Sequence, residues 1–172
     1  MHRRLIYPLL LLFLCLSAAG CGSVGCTDNQ NSIPLAGFYS MSDKASIRPD
    51  SLAISGVGAP NDSLLLGPSA RASQVYLPLR SGRDETRFCI SYRQRALDFP
   101  ELNDTITVAY ASIPYFASED CGAMYHYRIN ALSYTTHLID SIGLTDSVVT
   151  NIERETIQIY FRTSDNDDEE QD

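Results

Sequence analysis

Hydrophobic and polar residues alternate with a period of two along most of the chain after residue 35. This period places successive side chains on opposite faces of a β-strand. The pattern therefore predicts strands with one buried and one wet face. Six runs show it most clearly: Leu52 and Ile54; Val75, Leu77 and Leu79; Phe88, Ile90 and Tyr92; Ile106, Val108 and Tyr110; Tyr125, Tyr127 and Ile129; and Ile157, Ile159 and Phe161.

Turn-forming residues separate these runs, as at 59–62, 81–84 and 103–104. Short strands with hairpin-length gaps are typical of antiparallel β folds. We expect a single antiparallel β-sandwich, immunoglobulin-like or related, with a partly open β-barrel as the alternative. No glycine-rich linker divides residues 33–162, so one domain is expected there.

The N-terminus has the three parts of a secretory signal peptide, predicted over residues 1–20. A basic start at 2–4 is followed by an apolar run at 5–16 and then by small residues. The apolar run is shorter than the roughly twenty residues that a spanning helix needs. Cys21 follows Ala18-Ala19-Gly20, which resembles a bacterial lipoprotein box and predicts lipidation of Cys21. The alternative is ordinary signal cleavage, with Cys21 left as a disulfide partner.

Charge narrows the classes of partner. Removing residues 1–21 takes away Arg3 and Arg4 and no acidic residue, which leaves a net charge of −10. Nucleic-acid binding requires a basic footprint, so it is not expected. Membrane affinity would have to come from the lipid. Residues 21–32 form a lipidated N-terminus and tether, and the acid-rich residues 163–172 are predicted to be a disordered tail.

The exception to this acidity is a segment with six arginines between residues 71 and 95. The functional interpretation is a patch for an anionic sugar or for an acidic face of a partner. The stronger expectation is a solvated hairpin rim, because charged runs usually face water.

Three cysteines remain if Cys21 carries a lipid: Cys26, Cys89 and Cys121. An oxidising compartment permits one disulfide, and we prefer Cys26 with Cys121. This pair would tie the tether to the domain. Cys89 lies in the middle of a predicted strand without an activating neighbour, so we expect a structural or stray thiol.

No motif supplies a catalytic, metal or cofactor site. His126 and His137 have no metal-ligand spacing and are expected at the surface. The leading hypothesis is therefore a non-enzymatic binding or structural accessory module with a protein or glycan partner. The alternatives are an envelope-glycan hydrolase with acids distributed over loops, and a carbohydrate-binding module with exposed tyrosines.

Several runs in this order resemble an uncharacterised family of small Bacteroidota lipoproteins, a domain of unknown function, over roughly residues 26–162. The resemblance implies fold and location but no activity. Residues 22–25 lack the acidic run that resembles a surface-export tag in that group, so we expect the periplasmic leaflet of the outer membrane. The runs are 56–58, 77–79, 104–110, 116–118, 120–122, 139–142 and 157–161.

A tripeptide of aspartate, a hydroxyl residue and an aliphatic residue occurs five times. It resembles the O-glycosylation sequon of exported proteins in that phylum. The alternative is structural, because Asp and Ser end turns and an aliphatic residue begins the next strand. The candidate sites are Ser51, Ser63, Thr105, Ser141 and Ser147.

Overall fold

Two β-sheets make up the described part of the protein. The computed structural model describes residues 25–27, 29–60 and 63–162, so the predicted signal peptide, Cys21 and the acidic tail lie outside the described residues. The strands, in chain order, are β1 Leu35–Ser40, β2 Leu52–Gly56, β3 Leu64–Leu66, β4 Gln74–Tyr76, β5 Glu85–Tyr92, β6 Asp104–Ser118, β7 Gly122–Tyr134, β8 Ile139–Leu144, β9 Val148–Val149 and β10 Glu155–Phe161.

The smaller sheet has the order β4-β1-β10-β8 and the larger one β3-β2-β5-β6-β7-β9. The larger sheet curls into a half-barrel, so the structure confirms the predicted all-β class and combines features of the sandwich and the partial barrel. No helix among the described residues is long and apolar enough to cross a membrane.

The expectation of a wholly antiparallel fold is wrong at one place. Strand β1 pairs with β10 in parallel, with Phe38 opposite Ile159. Alternation of side chains reports which face is buried, but it carries no information about the direction of the neighbouring strand. The remaining strand pairs are antiparallel.

Two of the predicted runs also differ in detail. Strand β4 ends at Tyr76, and Leu77 and Leu79 are buried in an extended segment after it, because Pro78 has no N–H for a sheet ladder. Tyr125 lies on the same strand face as Tyr127, as predicted, but it is 44% exposed. This part of β7 pairs only with β6, so no second sheet covers it.

The core lies between the two sheets and contains the alternating residues of the central strands. Phe38 and Tyr92 each meet Phe161 edge to face, with ring centroids 5.9 and 6.4 Å apart. Each fully buried side chain of this size contributes about 1.5–3 kcal/mol relative to an exposed one. Buried members include Leu52, Ile54, Phe88, Ile90, Ile106, Val108, Ile157 and Ile159.

Asp104, the first residue of β6, is fully buried and accepts five hydrogen bonds. The Tyr92 hydroxyl donates at 2.7 Å and the Thr135 hydroxyl at 2.6 Å. The other three donors are the backbone N–H groups of residues 137–139, at 2.9 to 3.0 Å. Tyr92 and Thr135 belong to the larger sheet and its margin, whereas Ile139 begins β8 in the smaller sheet. One carboxylate therefore joins both sheets at this end of the molecule.

The hydrogen bonds decide the ionisation of Asp104. Burial alone raises the pKa of its carboxyl, but the bonds from Thr135 and from three backbone N–H groups outweigh burial and hold the pKa below its ordinary value. Burial, reinforced by the bond to this carboxylate, raises the pKa of the Tyr92 hydroxyl, which stays a donor. The site is thus a charged acceptor surrounded by donors.

We predict that Asp104→Asn lowers the free energy of unfolding by about 3 kcal/mol or more at pH 7, because an amide turns N–H groups toward N–H donors. The control is Asp50→Asn, which removes an exposed ion pair with Arg71 and should cost less than about 1 kcal/mol. Urea denaturation measures both. Equal losses in the two variants would contradict the role of Asp104.

The same carboxylate predicts acid sensitivity. Its pKa is lower in the folded than in the unfolded protein, so its contribution is complete above the unfolded value of about 4 and is lost as pH falls through the folded value. The free energy of unfolding should therefore decline below about pH 4. The decline should be shallower in Asp104→Asn, as measured by urea denaturation between pH 7 and pH 2.

Candidate anion-binding cavity

The segment between β4 and β5 carries two arginines of the candidate site, and a third, Arg87, lies in β5. Leu77 and Leu79 are buried on the core side and hold the segment down. A turn follows, in which the Arg83 N–H donates to the Arg80 carbonyl at 3.0 Å. Burial of the two leucines on one side therefore leaves Arg80 and Arg83 on the solvent side, where both are exposed.

Tyr110, a buried residue of β6, fixes the backbone of Arg80. Its hydroxyl donates to the Arg80 carbonyl and accepts from the Arg80 N–H, both at 3.0 Å. The Thr86 hydroxyl lies 2.9 Å from the Tyr110 hydroxyl oxygen. The ring meets that of Tyr127 edge to face, with centroids 5.5 Å apart, so its own position is fixed. Arg80 is thus presented by a pinned backbone and not by a free loop.

Three arginines line one cavity of about 300 Å³. The glutamate in its wall, Glu85, is engaged by Arg87 at 2.8 Å. Arg80 and Arg83 form no ion pair with a described residue. The cavity therefore carries an excess of two positive charges. Its lining comprises Val57, Gly58, Arg80, Arg83, Glu85, Thr86 and Arg87.

Gly58 shapes the opposite wall. Its φ of +70° is in the left-handed region, where a side chain would be strained, and no atom approaches the position of a Cβ within 4 Å. The glycine therefore leaves backbone facing open space beside the arginines. Guanidinium groups bind carboxylates and phosphates through paired N–H donors, so the arrangement suits an anion.

The structure thus divides the arginine-rich segment into two parts. Arg71 pairs with Asp50 and Arg93 with Asp98, which agrees with the expectation of a solvated rim. Arg80, Arg83 and Arg87 instead line one cavity, and the functional interpretation of an anion patch stays a prediction there. The sequence shows the run of charges, but the hydrogen bonds that fix the Arg80 backbone come from Tyr110, 30 positions away in the chain.

The cysteines adopt the preferred arrangement. Cys26 and Cys121 form a disulfide, with Cα atoms 4.7 Å apart, and Cys89 is a free, half-buried thiol. Gln30 donates weakly to the Cys121 carbonyl at 3.4 Å, so the tether follows the hairpin between β6 and β7 beyond the disulfide.

The two histidines differ from each other. His137 is exposed, as expected, and its backbone N–H donates to Asp104. His126 is half-buried and stacks on Tyr115, with ring centroids 4.1 Å apart, so the expectation of an ordinary surface histidine is wrong there. Strong pairing of β6 with β7 brings the two rings together. No group of three or more metal-ligating side chains occurs among the described residues.

The carbohydrate-binding alternative requires exposed tyrosine rings that form a flat platform for a sugar. Tyr39 and Tyr160 lie side by side on the smaller sheet, with centroids 5.5 Å apart and planes tilted by 37°. Lys44 covers the Tyr160 ring at 4.5 Å from its centroid, and the Tyr39 hydroxyl donates to Glu155. The two rings are tilted and half-buried, and they already contact Lys44 and Glu155, so they do not form a flat surface on which a sugar could stack.

The five candidate glycosylation sites are unequally accessible. Ser63 and Ser147 are exposed, whereas Ser51, Thr105 and Ser141 are half-buried. The aspartates that precede Ser51, Thr105, Ser141 and Ser147 all accept hydrogen bonds or form ion pairs. These contacts agree with the structural alternative, and modification itself stays a prediction.

We predict that any O-glycan on the folded protein is attached at Ser63 or Ser147, because only these two of the five candidate hydroxyl residues are exposed. Intact-mass spectrometry of the protein from its native host should show an excess over the lipidated polypeptide. Ser63→Ala with Ser147→Ala should remove that excess. Ser51→Ala is the control and should leave the mass excess in place. An unmodified polypeptide mass would show that the tripeptides serve turns alone.

Comparison with known proteins gives one match. A family model, described as a family of unknown function (DUF6452), covers residues 51–161. The matched part includes Asp104, the arginine cavity and Cys121, but neither β1 nor Cys26. A search of curated proteins and a search of solved structures each found no match. Since the model covers well over half of the chain, the protein belongs to the DUF6452 family of unknown function.

Proposed function

We propose that the protein is a lipid-anchored, non-enzymatic module of the cell envelope that binds an anionic glycan through Arg80, Arg83 and Arg87. The observation that carries the proposal is the convergence of these three side chains on one cavity whose single acidic residue is already paired. A mature chain with a net charge of −10 otherwise repels anions, so a local excess of positive charge is a specific feature.

The chemistry of the cavity favours a carboxylate- or phosphate-bearing sugar. Arg80 and Arg83 are unpaired among the described residues and can donate paired N–H groups to one acidic group. Thr86 and the Gly58 backbone add polar groups for sugar hydroxyls. A cavity of about 300 Å³ is at the lower end of ligand-site sizes, which suits one or two sugar units.

The anchor is the second part of the proposal. The lipoprotein box at Cys21 and the family resemblance support attachment to the outer membrane of a Bacteroidota cell. The neutral residues 22–25 support the periplasmic leaflet. The disulfide at Cys26 supports export, because disulfides persist in oxidising compartments.

A hydrolase has less support from the geometry. Glycoside hydrolysis requires two carboxyl groups facing one bond. Each of the three described cavities has at most one carboxylate in its lining, Glu85 in one and Glu153 in another. No described arrangement therefore favours catalysis over binding.

We predict that the protein binds trigalacturonate and that Arg80→Gln with Arg83→Gln weakens binding by about tenfold to a hundredfold, the cost of losing charge-assisted hydrogen bonds. Calorimetric titration measures the affinity. Binding should weaken as sodium chloride rises, because salt screens exposed charges.

Arg95→Gln is the matched control. Arg95 is an exposed arginine of the same segment but does not line the cavity, so its loss should leave affinity unchanged. Neutral maltotriose is the ligand control. Equal binding of both trisaccharides, or an equal loss in Arg95→Gln, would refute the anion site.

We also predict that Cys21→Ser releases the domain, still folded, from the membrane fraction into the soluble periplasm. The acyl chains supply the membrane affinity in this proposal, and a strongly acidic protein has no electrostatic substitute for them. Cell fractionation with immunoblotting measures the distribution, and Cys89→Ser is the control. Retention of the Cys21→Ser protein in the membrane fraction would refute the anchor.

A further inference from the structure

Strands β6 and β7 continue beyond the sandwich as a two-stranded ribbon, here called the arm: residues 112–118 of β6 and 122–126 of β7. Strand β5 pairs with β6 only as far as Ala109, and β9 reaches β7 only at Tyr127 and Arg128. Past these points the two strands pair with each other alone, up to Ser118 opposite Gly122. Seven residues at about 3.3 Å each give the arm a length of about 23 Å.

The arm carries exposed aromatic side chains. Phe116 is 64% exposed, and Tyr125 and Tyr115 are 44% and 42% exposed. Tyr125 pairs with Pro114 and Phe116 with Ala123, so Phe116 and Tyr125 share one face of the ribbon as diagonal neighbours. Met124, on the opposite face of the arm, is buried, whereas the face with Phe116 and Tyr125 is open to solvent. Their exposure indicates a surface that covers them.

Exposed apolar residues concentrate at the end of the sandwich from which the arm projects, here called the arm end. Strand pairing places Gly56, Glu85, Leu35 and Leu144 at this end, and Tyr92, Asp104 and Phe161 at the opposite one. Nine large apolar residues are exposed in the described part of the chain. Phe99 lies at the Asp104 end, and the other eight lie at the arm end: Val57, Leu64, Tyr76, Tyr115, Phe116, Tyr125, Leu144 and Ile152.

The length of the tether indicates which surface faces the arm end. Cys26 is bonded to Cys121 at the tip of the arm, and five residue steps separate Cys26 from Cys21. At about 3.5 Å per residue, those steps span at most about 18 Å. Without the disulfide the first buried residue of the tether is Ser32, eleven residues from Cys21, which gives a reach of about 39 Å. The disulfide therefore makes the tip of the arm the point at which the domain is attached nearest to a lipid on Cys21.

Charge selects the type of bilayer. Glu119 and Asp120 are exposed in the turn at the tip, beside Cys121, and an anionic surface would repel them. Arg80 lies beside Tyr110 at the base of the arm, about 23 Å from the tip, so screening by salt weakens its attraction to a surface at the tip. A zwitterionic headgroup layer does not repel these two acidic residues. Phenylalanine and tyrosine side chains are favoured in such a layer.

We propose that the arm end lies against a zwitterionic bilayer, with Phe116 and Tyr125 in the headgroup region and the Cys26–Cys121 disulfide holding this orientation. The inference rests on the lipid at Cys21 in the proposed function. Because Glu85 and Gly58 also lie at the arm end, the arginine cavity then lies in the half of the domain nearer the membrane.

The chain contains no tryptophan, so a single substitution creates a unique fluorescent reporter. Full-length lipidated Phe116→Trp protein is reconstituted into phosphatidylcholine vesicles, with and without bromine on the acyl chains. We expect brominated lipid to quench about half of the emission, because interfacial aromatic side chains reach the acyl boundary. Phe99→Trp is the matched control at the opposite end and should not be quenched.

A second variant tests the disulfide. Cys26→Ser with Cys121→Ser, added to Phe116→Trp, lengthens the tether while leaving the lipid in place. Quenching should fall about twofold or more, because a longer tether permits other orientations. Thermal unfolding verifies that the domain remains folded. Unchanged quenching would overturn the role of the disulfide.

Flotation of the vesicles separates the two levels of the proposal. If the Phe116→Trp protein floats but is not quenched, or if Phe99→Trp is quenched equally, the orientation is wrong and the anchor stands. If the protein does not float, both the anchor and the orientation are wrong. A blue shift of Phe116→Trp emission that grows with protein concentration in soluble Cys21→Ser protein would assign the surface to a second copy of this chain and overturn the bilayer.

Discussion

The buried carboxylate of Asp104 is the constraint around which this fold closes. Its five donors come from β5, from the end of β7 and from the entry to β8, so the two sheets meet at one charged group. A charge so deep in a protein is tolerated only when donors replace its lost water. Displacing the 135–139 connection would leave that charge unsatisfied, which couples the path of the loop to the integrity of the core. The Asp104 end is therefore the closed, determined end of the sandwich.

Alternation in the sequence was sufficient to identify the central strands but not their neighbours. Phe88, Ile90 and Tyr92 are buried as the period of two predicts. Strand β1 is buried at almost every position, because it lies between β4 and β10 with side chains covering its outer face, and it therefore shows no alternation. Its parallel partner β10 follows more than a hundred residues later. Strand β8, with Gly143 as its penultimate residue, also lacks an apolar period.

The same limit applied to the polar residues. In the sequence Asp104 appeared as a turn residue and as part of short local runs, and nothing marked it as a buried acceptor. Its donors are distant in the chain: Tyr92 lies 12 residues before it and Thr135 lies 31 residues after it. The arginine run was visible, but nothing in it separated Arg71, which pairs with Asp50, from Arg80, whose backbone Tyr110 holds. The disulfide between Cys26 and Cys121 could be predicted from the sequence because few cysteines were available to pair.

The two ends of the sandwich have different physical characters. At the Asp104 end, hydrogen bonds are satisfied internally and one large apolar side chain is exposed among the described residues. At the arm end, aromatic rings face outward, and strand edges and two arginines have no partner within the described ranges. Polar groups without partners and exposed apolar side chains are costly unless water or a ligand covers them. Because such groups are concentrated at the arm end, the capacity for binding is concentrated there too. The disulfide joins the tether to that end. In the proposed function, anchor, arm and cavity would thereby be arranged so that the domain binds where it is attached.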